Sequence, residues 1–258
     1  MRLLEVIEIT KNFGGVTAVQ DLSFSIEKGE ILGLIGPNGA GKTTVLNLTS
    51  GVLNPNHGQI MFKEKDITGL KPHRITGLGL ARTFQSTILF SSKTALENVI
   101  LGRHCKGEAG FWGTILNTNF AKQDDGRDQQ KALQLLDFMK LAGAKDILAQ
   151  NLPHGSQRRL GVAIALAPEP DLILLDEPMT GMNLGETAEM MDLILRIREK
   201  GPTILLVEHD MKAVMGLCDR IVVLNYGQKI AEGSPVEIQM NKEVIEAYLG
   251  TEYELAKR

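Results

Sequence analysis

Nine consecutive residues of this chain, GPNGAGKTT, have the types and the spacing needed to hold a nucleotide phosphate. They are Gly36, Pro37, Asn38, Gly39, Ala40, Gly41, Lys42, Thr43 and Thr44. The glycines let the backbone curl, so that several N–H groups point at the phosphates. The lysine can reach the β and γ phosphates, the first threonine can bind magnesium, and the following helix adds its N-terminal dipole. The stretch predicts a nucleoside triphosphate site.

Two acidic residues, Asp176 and Glu177, follow the apolar run LILL. Open α/β sheets bind ligands at the carboxyl ends of their strands, which is where these two residues fall. Asp176 is suited to hold magnesium through its water shell, and Glu177 to polarise an attacking water as a general base. His209 ends the next apolar run, in VEHD, and can donate a hydrogen bond to the γ phosphate.

A third stretch, LPHGSQRRL from Leu152 to Leu160, combines a glycine, a basic pair and a proline at a predicted helix start. Taken alone, it fits either an ordinary loop leading into a helix or a sequence that touches a nucleotide phosphate.

The elements that position these residues follow from hydrophobic periodicity. Alternating apolar residues at 22–26 predict a half-buried antiparallel strand, whereas continuous apolar runs at 31–35, 172–175 and 204–207 predict fully buried strands. A helix capped by Asn183 separates the last two runs, so a parallel, right-handed crossover is expected there.

Residues 86–166 are rich in helix formers, and they predict a helical lobe inserted into the α/β core. Within it, residues 133–140 follow helical spacing, and Gly143 is expected to close that helix. Phe111, Trp112 and Phe120 predict a satellite hydrophobic cluster, with a partner-binding loop as the alternative. Further on, Ser234 begins a predicted helix, and residues 241–249 predict another.

Composition sets limits on the class of protein. A chain of 258 residues with a net charge of -3 suits one large α/β domain and argues against a protein whose whole surface binds polyanions. No apolar run is long enough to span a membrane. Cys105 and Cys218 are far apart, which predicts buried thiols in a reducing compartment, and no histidine pair has the spacing of a zinc site.

In their order and separations, the phosphate loop, LILLDEP, VEHD and LPHGSQRRL resemble an ABC-transporter ATP-binding subunit over essentially the whole chain. The resemblance implies an α/β P-loop NTPase core with a mixed, mainly parallel sheet, an N-terminal antiparallel β subdomain and an inserted helical subdomain. It implies one ATP-binding domain, 1–258. Residues 1–85 and 167–230 would form its core, 86–166 the helical subdomain and 231–258 the C-terminal helices.

The resemblance also assigns roles to single residues, with ATP and Mg²⁺ as cofactors. Phe13 corresponds to the aromatic residue that stacks on adenine, and Gln85 to the glutamine that joins magnesium and the attacking water to the helical lobe. Asp176 corresponds to the magnesium aspartate, Glu177 to the catalytic glutamate and His209 to the switch histidine.

The same family resemblance implies partners. Two such subunits, identical or paralogous, would close head to tail around two ATP molecules, each site completed by Gly155 and Ser156 of the other subunit. The chain would lie peripherally on the cytoplasmic face of the inner membrane, contact permease subunits, meet a solute-binding protein only indirectly, and bind no nucleic acid.

Five stretches, GLARTFQ, TALENVILG, DEPMTGMN, VEHDMKAVM and VIEAYLG, resemble the branch that serves branched-chain amino-acid uptake. The implied function is the ATP-hydrolysing subunit of an importer for branched-chain or hydrophobic amino acids. The alternatives are urea-type uptake, lipid-type export, or a weakly hydrolysing nucleotide-dependent binding module.

The chain departs from the common family signature LSGGQ because Pro153 offers neither a hydroxyl nor an N–H group. The amino-acid branch often has a proline here, so hydrolysis is still expected. Gly161 and Ile164 replace a glutamate and an arginine of that branch, which predicts a slightly softer helix after the signature.

Overall fold

A computed structural model describes residues 1–83, 89–103 and 119–255, with side chains described except at 119–125 and 249–255. Within these residues the strands form two sheets. One is antiparallel, with the spatial order β2 (Val16–Glu27), β1 (Arg2–Phe13), β4 (His57–Phe62), β5 (Lys65–Asp66). The other has the order β10 (Gln228–Gly233), β9 (Arg220–Asn225), β3 (Ile31–Ile35), β8 (Thr203–Val207), β7 (Leu172–Asp176), β6 (Leu80–Arg82). Only the β9–β10 pair of this second sheet is antiparallel, so the predicted mixed α/β architecture is confirmed.

The parallel strands are buried on both faces, as their continuous apolar runs predicted. In β3, Ile31 and Ile35 point into one hydrophobic cluster, and Leu32 and Leu34 point into another. The second cluster is closed by the antiparallel sheet and two helices, α1 (Lys42–Thr49) and α2 (Pro72–Leu78). Because the strands are fixed from both sides, the residues at their carboxyl ends are held in rigid positions.

The remaining helices cover the first cluster. They are α3 (Ala95–Arg103), α4 (Asn119–Phe138), α5 (His154–Leu166), α6 (Leu184–Glu199), α7 (Met211–Leu217), α8 (Pro235–Met240) and α9 (Lys242–Leu255). Asn183 caps α6 and Ser234 caps α8, each in a capping box with the glutamate three residues later, as predicted. No helix among the described residues is both long enough and apolar enough to cross a membrane.

The expected end of α4 at Gly143 was wrong. The helix ends at Phe138, and Lys140 takes the left-handed conformation with φ 57°. The Leu141 N–H donates to the Leu136 carbonyl at 2.7 Å, and the Lys140 N–H donates to the Asp137 carbonyl at 2.9 Å, which is a Schellman ending. Burial of Leu141 stabilises this turn, and that tertiary contact outweighs the general preference for glycine at such a position.

The two unusual residues after the signature have different surroundings. A Cβ added to Gly102 of α3 would lie 2.8 Å from the Ile164 carbonyl oxygen and 3.2 Å from its Cγ2, so α3 and α5 pack closely here. An apolar Ile164 therefore contributes to the hydrophobic cluster beneath α3. Nothing in the structure explains Gly161.

Several predicted features lie outside the described part of the chain: Gln85, Cys105, and the cluster of Phe111, Trp112 and the side chain of Phe120. Cys218 is buried as predicted, and burial raises the pKa of its thiol to about 12.

Candidate active site

The predicted phosphate loop connects β3 to α1 at the carboxyl edge of the parallel sheet. Gly41 has φ 102°, and a Cβ there would lie 2.5 Å from the Ala18 carbonyl oxygen of β2. Gly36 is equally constrained, since a Cβ would lie 2.2 Å from the Leu224 carbonyl oxygen of β9. The loop is therefore clamped between the two sheets, and only glycine fits at these two positions.

The Lys42 side chain folds back inside the loop. Its Nζ donates to the Gly36 carbonyl at 2.6 Å and to the Pro37 carbonyl at 2.9 Å. Burial lowers the pKa of Lys42, and the nearby carboxylates of Glu177 and Asp176 oppose that shift. The ammonium group, the loop and both predicted acids therefore lie together in one site.

Asp176 is the last residue of β7 and is almost fully buried, at 2% exposure. Arg82 of β6 donates from Nη2 to Asp176 Oδ2 at 3.0 Å. The same guanidinium donates from Nη1 to Asn47 Oδ1 at 2.6 Å and to Ser50 Oγ at 3.1 Å. Burial raises the pKa of Asp176 and the Arg82 charge opposes the rise, so Arg82 favours the ionised form that a metal would need.

These donors fit magnesium bound together with a nucleotide. Mg²⁺ in phosphate-transfer sites takes one or two carboxylates and completes its shell with substrate phosphates and water. Asp176 would supply the carboxylate, and the exposed Thr43 at the start of α1 would supply a hydroxyl. Among the described residues no group of three His, Cys, Asp or Glu side chains could hold a metal by itself.

Glu177 and His209 are brought together across neighbouring strands. Glu177 has φ 48°, and its N–H donates to the Val207 carbonyl at 2.9 Å, which fixes the turn after β7. Its Oε2 lies 4.0 Å from His209 Nδ1 and 3.2 Å from the Thr180 hydroxyl. The histidine side chain is 62% exposed, so it can reach a ligand bound at this edge.

Sequence reasoning missed Glu208, a buried carboxylate between the two catalytic candidates. Its Oε1 accepts from the Met179 N–H at 2.9 Å, and its Oε2 accepts from the His209 N–H at 3.2 Å. Glu208 thus ties the loop that follows Glu177 to the loop that carries His209. The sequence feature that could have identified Glu208 is its position directly after the apolar run ILLV.

The ionisation of Glu208 gives a pH-dependent test. Burial raises the pKa of Glu208 above its usual 4.5, so the folded chain keeps this proton at pH values where the unfolded chain has lost it. Its contribution to stability is therefore present below pH 4.5 and is lost as pH rises through the folded-state pKa. Glutamine does not titrate. We expect the free energy of unfolding of Glu208→Gln, relative to the unmodified protein, to increase as the pH rises from 4.5 through the folded-state pKa of Glu208.

Urea unfolding at several pH values measures this difference, with Glu189→Gln as a control because Glu189 is about half exposed. A Glu208→Gln difference that stays constant or decreases with pH would contradict the assignment.

Phe13 is the last residue of β1 and pairs with Val16 of β2. Ala18, two residues further along β2, packs against Gly41, so Phe13 lies beside the phosphate loop. Its side chain is 47% exposed, and Lys11 Nζ lies 5.4 Å from its ring centroid. An exposed ring at this rim can stack on a flat base.

The stretch LPHGSQRRL begins α5, with Pro153 as the N-cap residue. The His154 ring packs on Gly181, and its Cε1 atom lies 2.9 Å from the position that a Cβ on Gly181 would take. A Cβ on Gly155 would lie 2.6 Å from Glu186 Oε1. Gly155 is buried and Ser156 is half-buried. Across the described part of the chain, no hydrogen bond or ion pair joins these last two residues to the phosphate loop.

Comparisons with known protein families agree with this geometry. The sequence model of the family described as ABC transporter matches residues 19–180. A second model, described as branched-chain amino acid ATP-binding cassette transporter, matches residues 228–254.

Among curated relatives, the high-affinity branched-chain amino acid transport ATP-binding protein LivG of Salmonella typhimurium is 41% identical, covering 96% of this chain and 98% of the relative. LivG of Escherichia coli K12 is 39% identical over the same shares. Among solved structures, the ADP conformation of MJ1267, an ATP-binding cassette of an ABC transporter, has a TM-score of 0.85 and 32% identity, covering 97% of this chain and 99% of that one. The dimeric post-hydrolysis cassette MJ0796, bound to ADP and Pi, has a TM-score of 0.77 and 25% identity, covering 90% and 98%.

Proposed function

Because this chain belongs to the ABC transporter family, we propose that it is the ATP-hydrolysing subunit of an importer for branched-chain or related hydrophobic amino acids. The observation that carries hydrolysis is the meeting of Lys42, Asp176, Glu177 and His209 at one sheet edge, with Glu177 Oε2 4.0 Å from His209 Nδ1. This arrangement favours a working ATPase over a binding module with little turnover.

Binding and charge neutralisation come from the phosphate loop and its neighbours. The loop N–H groups and Lys42 hold the β and γ phosphates, and Phe13 stacks on the adenine. Asp176 and Thr43 would hold Mg²⁺, and the family resemblance assigns Gln85 to the same ion. Magnesium, when bound, neutralises the charge that develops on the phosphates.

Glu177 accepts the proton of the attacking water. Its carboxylate is one-fifth exposed, so it keeps contact with solvent while the turn after β7 holds it in place. His209 stands beside it and donates a hydrogen bond to the γ phosphate, where negative charge must be stabilised. Glu208 accepts a backbone hydrogen bond from each of the two loops, and it thereby fixes the positions of Glu177 and His209 relative to each other.

The second half of each ATP site comes from another subunit, identical or paralogous. Gly155 and Ser156, in the first turn of α5, face the nucleotide of the partner subunit. The dimeric cassette among the structural neighbours supports such a pairing. Pro153 removes one side-chain contact but leaves the helix dipole in place.

The proposal puts the chain on the cytoplasmic face of the inner membrane, bound to permease subunits. A solute-binding protein would deliver the amino acid to those subunits, and this chain would never touch it. The match of the branched-chain family model at 228–254, with the LivG relatives, favours this substrate class over urea-type uptake or lipid-type export.

A reconstitution experiment tests the substrate class. We expect ATP hydrolysis by the chain and its permease subunits in proteoliposomes to rise several-fold when a solute-binding protein loaded with leucine is added. Urea in place of leucine serves as the control. Stimulation by urea alone, or by lipid without a binding protein, would refute the amino-acid assignment.

A further inference from the structure

A cavity of about 630 Å³ opens at the amino edge of the parallel sheet, whereas the phosphate loop lies at the carboxyl edge. Its lining includes part of α4, Arg103 at the end of α3, and the segments 166–171 and 200–202, which lead into β7 and β8. Sites for small molecules have volumes of about 300–1,000 Å³. Because β7 and β8 are each five residues long, or about 16 Å, a ligand in this cavity would not touch a nucleotide at the other edge.

Part of the cavity wall is apolar. Leu135 and Phe138 of α4 line it, together with Leu166 at the end of α5 and Ile197 near the end of α6. Leu166 and Ile197 are buried members of the hydrophobic cluster, and the two α4 residues pack against that cluster. The cavity therefore reaches down to the core, where the apolar part of a ligand would be removed from water.

Two of the four cations that line the cavity are balanced by carboxylates. Arg103 donates from Nε to Asp128 Oδ1 at 2.7 Å and from Nη1 to Glu169 Oε1 at 3.2 Å. Lys131 Nζ donates to the same Glu169 oxygen at 2.6 Å. These two cations and two acids neutralise one another and join α3 and α4 to the segment before β7.

The other two cations of the lining, Lys28 and Lys200, form no ion pair with a carboxylate in the part of the chain that the structure describes. The remaining acid of the lining, Asp171, is paired with Lys63. Two positive charges at this cavity are therefore left without a counter-charge among the described residues.

These two lysines lie beside the apolar wall. The Gly29 N–H donates to Thr203 Oγ1 at 2.9 Å, which holds the turn that carries Lys28 against the start of β8, close to Lys200. Lys200 Nζ lies 4.6 Å from the centroid of the Phe138 ring. The ammonium group of Lys200 thus marks the border between the charged part of the cavity and the apolar part.

We propose that this cavity binds a small organic anion with an apolar body, of the class of medium-chain carboxylates. The carboxylate accepts hydrogen bonds from Lys28 and Lys200, and the apolar body packs against Phe138 and its neighbours in the wall. The unbalanced positive charge disfavours a zwitterion such as leucine, whose ammonium group it would repel. This site is separate from the nucleotide site and does not depend on the proposed transport function.

Titration calorimetry with octanoate tests the site, with ADP present so that the phosphate loop is occupied. We expect octanoate to bind at one site per chain, and acetate, leucine and the neutral octanamide to bind at least about threefold more weakly. The double variant Lys28→Met, Lys200→Met should weaken octanoate binding by about three- to thirtyfold, the effect of two exposed ion pairs. Lys65→Met is the matched control, because Lys65 is an exposed lysine of β5 outside the cavity, and it should bind octanoate normally.

Methyl NMR locates the ligand. Octanoate should shift the methyl resonances of Leu135 and Ile197 and leave those of Val45, in α1 behind the phosphate loop, unchanged. The site is overturned by absence of saturable octanoate binding up to about 10 mM. It is also overturned if octanamide binds as tightly as octanoate, if the double variant binds octanoate as tightly as Lys65→Met does, or if only the Val45 resonances shift.

Discussion

Replacing Glu177 with glutamine should reduce kcat for ATP hydrolysis by about 10²- to 10⁴-fold, the usual contribution of a general base. The amide keeps the size and the hydrogen bonding of the side chain but cannot take a proton from water. ATP binding should persist, because Lys42 and the loop glycines are untouched. Phosphate release measures the rate, and gel filtration with ATP should show a dimer that no longer reopens.

Glu189→Gln is the control for this prediction, since Glu189 is a half-exposed surface glutamate paired with Arg159. It should retain normal turnover. A Glu177→Gln protein that hydrolyses ATP within threefold of the normal rate would show that another group acts as the base.

Replacing Arg82 with methionine should destabilise the fold by about 3–5 kcal/mol, the cost of leaving one partner of a buried ion pair without the other. Arg82 and Asp176 are 5% and 2% exposed, and the guanidinium also bonds to Asn47 and Ser50 beneath the phosphate loop. Urea unfolding measures the loss. Magnesium-dependent turnover should fall as well, because an unpaired Asp176 would favour its protonated form.

Two further variants separate the charge effect from the loss of packing. Arg82→Met combined with Asp176→Asn removes both charges and should be more stable than Arg82→Met alone. Arg198→Met breaks a partly exposed pair with Asp219 and should cost less than about 1 kcal/mol. Equal losses in Arg82→Met and Arg198→Met would contradict the importance of the buried pair.

Most of the site could be predicted because its residues stand next to strong local signals. Lys42 follows glycines with a fixed spacing, and Asp176, Glu177 and His209 follow apolar runs that can only be buried strands. The crossover rule then brings those strand ends to one edge, and the structure shows them there.

The residues that were missed act through contacts distant in sequence. Arg82 lies 94 positions before Asp176, and Glu208 lies 29 positions after Met179, so neither pairing has a local pattern.

Leucine uptake by cells tests whether ATP hydrolysis by this chain powers amino-acid import. Cells that lack the gene for this chain would be supplied with the unmodified protein or with Glu177→Gln, and the uptake of radiolabelled leucine measured. We expect uptake with the unmodified protein and none with Glu177→Gln, although both are made in equal amounts. Equal uptake with both proteins, or normal uptake without either, would show that hydrolysis by this chain does not power import.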